Sequence, residues 1–359
     1  MGYRRQLLLG SAQKIQKRRY KVRDFKRRLN PFDVYNDYEF YQRFRFDRAS
    51  VRYLVAQFGC DLQGKREAQG KKSRSPDISS TTKILVTLRY LASNSLQQVV
   101  GDCFGLTQPA VCRIVTKTVP KIARRIDDFI KFPQGEAAER VSACWKEITG
   151  IPGIVSAIDC THVRVPVGKE RESAFMDRKG HKSLNVQAAC DHEYKFTHVY
   201  ANWPGSTHDC FILKESQLHK DFESGKLQGI LLGDSGYGNG KPWMLTPFLA
   251  PSTQAEKDYT HKQKVGRVKI EQAFGQLKRR FRGLLEGLRV NPEKSIDYVI
   301  AAFILHNIAK DRGQPDNFED ADGKEGESSG GDVQAAEGMK AQFGSTGKLF
   351  REHIVRTYF

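Results

Sequence analysis

Gly150-Ile-Pro-Gly-Ile-Val-Ser-Ala-Ile-Asp159-Cys-Thr-His-Val-Arg164 is the stretch on which the fold prediction depends. The apolar, β-branched run Ile154–Ile158 follows a Pro-Gly turn signal and predicts a buried strand. Asp159 comes directly after this run, at the predicted end of the strand. A carboxylate beside a core strand is costly to bury unless it is paired or binds a cation. Two interpretations stay open from this stretch alone: Asp159 caps the next turn, or it binds a cation.

A second stretch repeats this pattern and favours the cation. Ile230-Leu-Leu-Gly-Asp234-Ser-Gly-Tyr237 is again a short apolar run that ends in an aspartate and a glycine turn. Asp209 precedes a predicted helix, and Glu271 lies beside the apolar stripe of another predicted helix over about 265–284. Mg²⁺ and Mn²⁺ are hard ions that prefer carboxylate oxygens and water, so they suit such a site.

The predicted elements of residues 151–310 follow an RNase H-like (retroviral-integrase-like) order within an α/β fold. The first strand is followed by a hairpin, a helix, a further strand and a helix that carries a carboxylate. An irregular insert is expected over about 238–262, and Cys160-Thr-His162 is expected in a turn. The strands are predicted at 154–158, 184–190, 196–201 and 229–233.

Residues 31–150 are predicted to be helical, with a helix-turn-helix over about 80–118. A short glycine-containing turn separates two predicted helices, and Pro109 suits the first turn of the second helix. Arg113 and Lys117 lie on the polar side of that helix, where they would contact DNA. An ordinary three-helix bundle, or a module that docks proteins, is an alternative that the sequence leaves open.

The charge of the chain indicates a polyanionic partner, with nucleic acid favoured over a membrane. The 359 residues carry a net charge of +18. Residues 1–30 hold eleven Lys/Arg against one acid, which predicts a disordered basic arm that is either solvated or binds phosphates or import factors. No run of about 18 apolar residues predicts a membrane span.

The end of the chain and its cysteines complete the domain prediction. Residues 311–344 are expected to form an acidic disordered segment, and residues 345–359 a short C-terminal helix. The seven cysteines include no Cys-x-x-Cys pair, which argues against a zinc site and for a reducing compartment.

The chemistry that these residues predict is metal-assisted displacement at a phosphodiester. Two ions that share a carboxylate can activate the attacking oxygen and stabilise the leaving oxygen. Basic residues around Glu271 would hold the phosphates, although a solvated helix face is the alternative for the run 278–282. The expected metal ligands are Asp159, Asp209, Asp234 and Glu271. The basic residues expected near Glu271 are Arg267, Lys278, Arg279 and Arg282.

Six motifs occur in an order that resembles the PIF/Harbinger-type DDE transposase family, which includes the Harbinger transposase-derived nuclease. They extend through the whole predicted catalytic region, and residues from about 74 to 130 also resemble the family's preceding segment. The motifs are Ala157-Ile-Asp-Cys-Thr-His-Val163, Arg178-Lys-Gly-His-Lys-Ser-Leu-Asn185, Asn202-Trp-Pro-Gly-Ser-Thr-His-Asp209, Leu231-Leu-Gly-Asp-Ser-Gly-Tyr237, Ile270-Glu-Gln-Ala-Phe-Gly275 and Leu305-His-Asn307.

The resemblance implies that Asp159, Asp234 and Glu271 are the DDE catalytic triad, with Asp209 as a further acidic position near the metal. Lys182, inside the second motif, is expected to contact DNA. The implied activity is cutting at transposon ends and joining the 3′-hydroxyls to target DNA, with a Myb-like DNA-binding partner protein, in the nucleus. Because two ends must be held together, a homodimer or larger assembly is expected.

Two other functions stay open from the sequence. The first is a domesticated nuclease or DNA-bound adaptor that no longer mobilises an element, since domestication need not erase the triad. The second is a nucleic-acid or chromatin binding protein without catalysis, which would bind no Mg²⁺ and cut no DNA.

Overall fold

The computed structural model describes residues 29–63, 78–238, 240–318 and 345–359. The predicted basic arm at residues 1–30 therefore lies almost entirely outside the described residues. The same holds for the greater part of the acidic segment predicted at 311–344.

Eight helices precede the sheet in the described part of the chain. Asn36 and Glu39 form a reciprocal capping box at the start of the second helix, and Gly150 ends the eighth in the left-handed conformation. Pro109 lies in the first turn of the sixth helix, as predicted. These helices are α1 (Pro31–Val34), α2 (Asp37–Phe44), α3 (Arg48–Leu62), α4 (Ser80–Ser93), α5 (Gln97–Asp102), α6 (Gln108–Ala123), α7 (Ile126–Phe129) and α8 (Glu136–Thr149).

A five-stranded mixed sheet with the order β3-β2-β1-β4-β5 forms the centre of the molecule. Strand β1 pairs antiparallel with β2 and parallel with β4, while β2 and β3 form the predicted hairpin. This confirms the α/β class, and its order is consistent with the RNase H-like arrangement expected. The strands are β1 (Ile154–Arg164), β2 (Ser183–Cys190), β3 (Phe196–Pro204), β4 (Ile230–Leu232) and β5 (Met244–Leu245).

The first strand is longer than predicted, and this changes where its carboxylate lies. Strand β1 continues to Arg164, so Asp159 lies in the middle of the strand opposite Ala188, and Cys160-Thr-His162 is not a turn. The prediction stopped at Asp159 because the apolar run ends there. Beyond it, one side of the strand stays buried, as at Val163, while His162 alternates out to solvent.

Seven helices occur in the described residues after β1, and the longest begins earlier than predicted. Thr253 and Glu256 form a capping box that starts this helix at Gln254, so the insert expected to be irregular to about residue 262 is partly helical. The helices are α9 (Glu172–Phe175), α10 (Asp209–Glu215), α11 (Gln217–Glu223), α12 (Gln254–Arg280), α13 (Arg282–Glu286), α14 (Pro292–Asp311) and α15 (Ser345–Tyr358). None of the helices described is long and apolar enough to cross a membrane.

One large apolar core joins the N-terminal helices to one face of the sheet. It includes Phe58 and Val115 from the helices, Val186 from β2 and Phe303 from α14. A smaller cluster covers the opposite face, where Ile158 packs with residues of α10 and α11.

Candidate metal centre

Three aspartates from separate elements meet at one place. Asp159 projects from the middle of β1, Asp234 follows the adjacent parallel strand β4, and Asp209 is the first residue of α10. Each offers a carboxylate oxygen, and these oxygens lie within 4.8 Å of one another. No other group of three or more acidic, His or Cys side chains with this spacing occurs in the described residues. The fold therefore brings together three of the four metal ligands predicted from the sequence.

Backbone and side-chain donors orient these carboxylates. The backbone N–H of Cys160 donates to Asp159 Oδ1 at 2.8 Å, and that of Gly236 donates to Asp234 Oδ1 at 3.0 Å. The side-chain Nδ2 of Asn185 on β2 donates to Asp209 Oδ1 and to the carbonyl of Thr207, each at 2.9 Å. The three-carboxylate group is thus held by hydrogen bonds before any cation arrives.

Mutual repulsion makes this group receptive to a cation. Burial, and next the charge of nearby Asp234, raise the pKa of Asp159 from its ordinary value of 3.8 to about 7. Burial and the charge of Asp209 likewise raise the pKa of Asp234. Asp159 has a side-chain exposure of only 17%. Oxygen donors, close spacing and unfavourable like charges together fit a hard divalent cation.

Glu271 is close to this group without being part of it. It lies on α12, where Arg267 Nη1 is 2.6 Å from Glu271 Oε1 and 3.3 Å from Asp159 Oδ2. One guanidinium nitrogen therefore links the first and last carboxylates of the predicted triad. Arg267 was predicted as a DNA contact, and here its charge is shared between these two carboxylates.

A buried contact under the site was missed by sequence reasoning. Cys160 Sγ and Tyr237 OH form a hydrogen bond at 3.3 Å, which connects β1 to the short 3₁₀ turn after Asp234. Burial raises the pKa of the Cys160 thiol and of the Tyr237 hydroxyl well above their ordinary values. Both groups stay protonated at neutral pH, so their role at the site is to hold the turn.

The second motif supplies a further chain of hydrogen bonds beside the metal candidates. Ser183 Oγ donates its hydrogen to Asp177 Oδ2 at 3.0 Å. His162 Nδ1 lies 3.0 Å from Ser183 Oγ, and because the serine hydrogen is already used, His162 Nδ1 is the donor in this second hydrogen bond. Burial lowers the pKa of His162. Asn185 and Ser183 carried no signal of their own in the sequence except their place in this motif.

The structure separates the predicted DNA contacts into exposed and occupied groups. Arg113, Lys117 and Arg279 are exposed to solvent. Lys182 forms an ion pair with Glu172 at 2.9 Å, and Arg282 is ion-paired with Glu286. These two side chains would have to exchange a carboxylate for a phosphate before they could contact DNA.

Lys278 and Arg280 show why the run 278–282 is not one solvated or phosphate-binding face. Lys278 Nζ donates to the carbonyl of His162 at 2.9 Å, and burial lowers the pKa of Lys278 to about 8. Arg280 has no exposed surface and donates to the carbonyl of Arg45 at 2.9 Å. Helical periodicity accounts for this, because the side chain of Arg280 points inward while that of Arg279 points to solvent.

Comparisons with known proteins match the part of the chain that contains these residues. Residues 158–307 match the family model described as DDE superfamily endonuclease. The protein named "Putative nuclease HARBI1" of Bos taurus is 35% identical over 288 residues, covering 78% of this chain and 80% of that protein. Its Homo sapiens counterpart is 34% identical over 286 residues, with 78% and 80% covered.

A plant protein is more distantly similar. "Protein ALP1-like" of Arabidopsis thaliana is 26% identical over 287 residues, covering 75% of this chain and 70% of that protein. No solved structure gives a significant match. The matched family region begins beside Asp159 and includes Asp209, Asp234 and Glu271.

Proposed function

The chain belongs to the PIF/Harbinger-type DDE family, and we propose that it is a divalent-metal-dependent DNA nuclease of the transposase type. The observation that carries this proposal is the convergence of Asp159, Asp209 and Asp234 within 4.8 Å. Carboxylates so closely spaced and mutually repelling are unfavourable unless a cation or protons neutralise them.

Mg²⁺ or Mn²⁺ is the cofactor we propose, and when bound it supplies charge stabilisation for the attacking and leaving oxygens of a phosphodiester. Asp159, Asp209 and Asp234 would hold one ion. A second ion would draw on Glu271, whose carboxylate is at present paired with Arg267. Asp159, Asp234 and Glu271 are then the catalytic triad, and Arg267 links Asp159 to Glu271.

DNA is the substrate that we propose, because the chain has a net charge of +18 and exposes basic side chains on two elements. Arg113 and Lys117 on α6 would contact DNA as part of a helix-turn-helix formed by α4 to α6. Lys278 and Arg279 on α12 would contact phosphates nearer the metal. Lys182, Arg267 and Arg282 would join them only after leaving their present carboxylate partners.

The full reaction we propose is cutting at transposon ends followed by joining of the 3′-hydroxyls to target DNA. A nuclear location, a homodimer or larger assembly and a Myb-like DNA-binding partner belong to this proposal. A domesticated nuclease or DNA-bound adaptor is the second candidate. It is favoured by the names of the mammalian relatives, which describe a nuclease and do not mention transposition.

Cleavage and strand transfer on DNA with terminal inverted repeats test this function. The wild-type protein should cut with Mg²⁺ or Mn²⁺ and lose the activity with a chelator. Asp159→Asn and Glu271→Gln should lower the rate by at least about a hundredfold, since each removes a charge at the reacting phosphodiester. Asp61→Asn, an exposed aspartate on α3, is the matched control and should cut normally.

The outcomes separate the candidates. Cleavage with strand transfer supports the transposase, and cleavage alone supports the domesticated nuclease. Metal-independent cleavage, or activity that survives both substitutions, would overturn the assigned site. A folded protein that binds DNA but neither binds metal nor cuts would be a DNA-binding protein without catalysis.

A further inference from the structure

An open cleft of about 450 Å³ lies where three distant parts of the chain meet. Asn94 follows α4, Arg164 ends β1, and Gly287–Arg289 forms the turn after α13. None of these residues was expected to contact a ligand. The cleft therefore joins the helical part of the molecule to the strand that carries Asp159.

The walls of the cleft are fixed by specific contacts. The backbone N–H of Leu288 donates to the carbonyl of Arg164 at 2.9 Å. Asn94 Nδ2 donates to Glu286 Oε2 at 3.0 Å and to the carbonyl of Gly287 at 3.2 Å. Gly287 has a φ of 112°, and a Cβ there would lie 3.0 Å from Arg164 Cβ, so only glycine fits.

The cleft presents positive charge that the protein itself does not neutralise. Arg164 and Arg289 are exposed, and neither guanidinium has an ion-pair or hydrogen-bond partner among the residues that the structure describes. Glu286 also lines the cleft, but its carboxylate accepts from Asn94 and is ion-paired with Arg282. Two unpaired arginines on a fixed frame are suited to an anion with several oxygens.

A line of cations connects this cleft to the metal candidates. Lys278 lies near Lys179 and Arg164. Burial is the largest cause of the lowered pKa of Lys278, and the positive charges of Lys179 and Arg164 are the next largest. Lys278 follows Glu271 by seven residues of α12, about 10 Å. Arg164 follows Asp159 by five residues of β1, about 16 Å. These distances span a few nucleotides of a duplex, whose neighbouring phosphates on one strand are about 3.4 Å apart along the axis and further apart in a straight line.

We propose that this cleft binds backbone phosphates of the DNA substrate, a few nucleotides from the bond that is cut, through Arg164 and Arg289. The inference rests on the proposed function for the identity of the substrate. Phosphodiester oxygens are the ligand, and the contacts are to the backbone, so binding through the cleft is independent of base sequence. Arg164 and Arg289 position the DNA and take no part in the chemical step.

Binding of a 30-base-pair duplex, followed by fluorescence anisotropy without divalent metal, tests the cleft. Arg164→Ala/Arg289→Ala should bind about ten- to a hundredfold more weakly than the wild type. Its plot of log K against log[KCl] should be less steep by about 1.8, which is 0.9 for each lost phosphate contact. Arg164→Lys/Arg289→Lys should keep most of the slope.

The control is Arg140→Ala/Arg356→Ala, which removes two exposed arginines from α8 and α15. Equal affinity and slope for the cleft variant and this control would overturn the proposal. A second arm replaces chloride by inorganic phosphate at equal ionic strength. Saturable binding of inorganic phosphate by the wild type but not by the cleft variant, with equal DNA affinity of the two proteins, would show a free-phosphate site and overturn the DNA proposal.

The result is independent of whether the protein cuts DNA, because no metal is present in the binding assay. Wild-type cleavage together with unchanged binding of the cleft variant would overturn the cleft and leave the proposed function intact. Failure of the wild type to cleave DNA, together with weakened DNA binding of the cleft variant, would overturn the proposed function and support the cleft. All variants are compared at temperatures where circular dichroism shows them folded.

Discussion

Asp159 combines properties that a purely structural carboxylate would not need. It lies in the middle of a core strand, its pKa is raised to about 7, and Asp209 and Asp234 approach it within 4.8 Å. Arg267 neutralises it only in part, because the same guanidinium also binds Glu271. At the scale of single residues, the site is a set of like charges that protons or an added cation can neutralise.

The pH dependence of stability tests this property. The folded-state pKa of Asp159 is raised from 3.8 to about 7, so the folded protein keeps a proton that the unfolded chain releases. Metal-free stability should therefore fall as pH rises from about 4 to about 7 and then level off. Asp159→Asn should remove this contribution and raise the metal-free melting temperature above pH 7. Asp61→Asn should not, and an unchanged melting temperature in both would contradict the account.

Arg267 gives a second prediction at the same scale. Its guanidinium lies 3.3 Å from Asp159 Oδ2, so its charge opposes a cation bound there. Arg267→Ala should therefore bind Mn²⁺ several-fold more tightly than the wild type in isothermal titration calorimetry, while Arg267→Lys should stay near the wild type. Weaker Mn²⁺ binding by a folded Arg267→Ala would show that the arginine supports the metal site.

Helix α12 determines how Glu271 and Arg267 reach the strands. Gly266, one residue before Arg267, faces inward, and a Cβ there would lie 2.4 Å from Leu232 Cδ1 and 2.9 Å from Thr149 Cγ2. Leu232 and Thr149 are fully buried, so they have little room to move. The close approach of α12 to β4 and α8 thus depends on a glycine.

Two glycines of α12 form a matched pair for testing this packing. Gly266→Ala should destabilise the protein by about 1–3 kcal/mol because the added methyl overpacks the contact. Gly275→Ala, on the exposed side with nothing within 4 Å, should stabilise by up to about 1 kcal/mol through helix propensity. Urea unfolding measures both changes. Equal effects of the two substitutions would contradict the packing described.

The sequence predicted four of the five strands, their ends less well, and missed β5, which lies within the insert expected to be irregular. The apolar runs of β1 and β4 and the alternation of the hairpin strands are local patterns, so their order could be predicted. The extension of β1 to Arg164 depends on its pairing with β2. The early start of α12 depends on a capping box within a polar stretch of sequence. Neither is visible as hydrophobic periodicity.

The site was predictable in its acids and not in its pairings. Asp159 and Asp234 follow apolar runs, and Glu271 lies beside an apolar stripe, which is enough to name them. The Arg267–Asp159 contact and the Asn185 bond to Asp209 depend on tertiary distances that one sequence does not contain. The same is true of the Cys160–Tyr237 hydrogen bond. The Arg267–Glu271 pair, by contrast, has the i,i+4 spacing of a helix.

At the scale of the whole molecule, the N-terminal helices and the sheet share one apolar core. Arg280 adds a polar connection between them. Its guanidinium donates to the carbonyls of Arg45 and Pro315, each at 2.9 Å, and pairs with Asp316 at 2.6 Å. A fully buried arginine of α12 thus connects the helical region to the segment after α14.

Removing this connection should weaken the molecule as a whole. Arg280→Met should lower the free energy of unfolding by about 3 kcal/mol, because Asp316 and the carbonyls of Arg45 and Pro315 each lose a hydrogen bond from the buried guanidinium. Arg279→Met, the exposed neighbour, should change it by less than about 0.5 kcal/mol. Chemical denaturation measures both, and similar small effects would show that Arg280 does not join the two regions.

The most direct test of the central claim is anomalous X-ray scattering from crystals grown with Mn²⁺. The account predicts a Mn²⁺ peak bound by oxygens of Asp159, Asp209 and Asp234, with ligand distances of roughly 2.1–2.3 Å. Asp209→Asn crystals under the same conditions should lose or greatly weaken that peak. Absence of a peak at the three aspartates of the wild-type protein, at millimolar Mn²⁺ and neutral pH, would contradict the account.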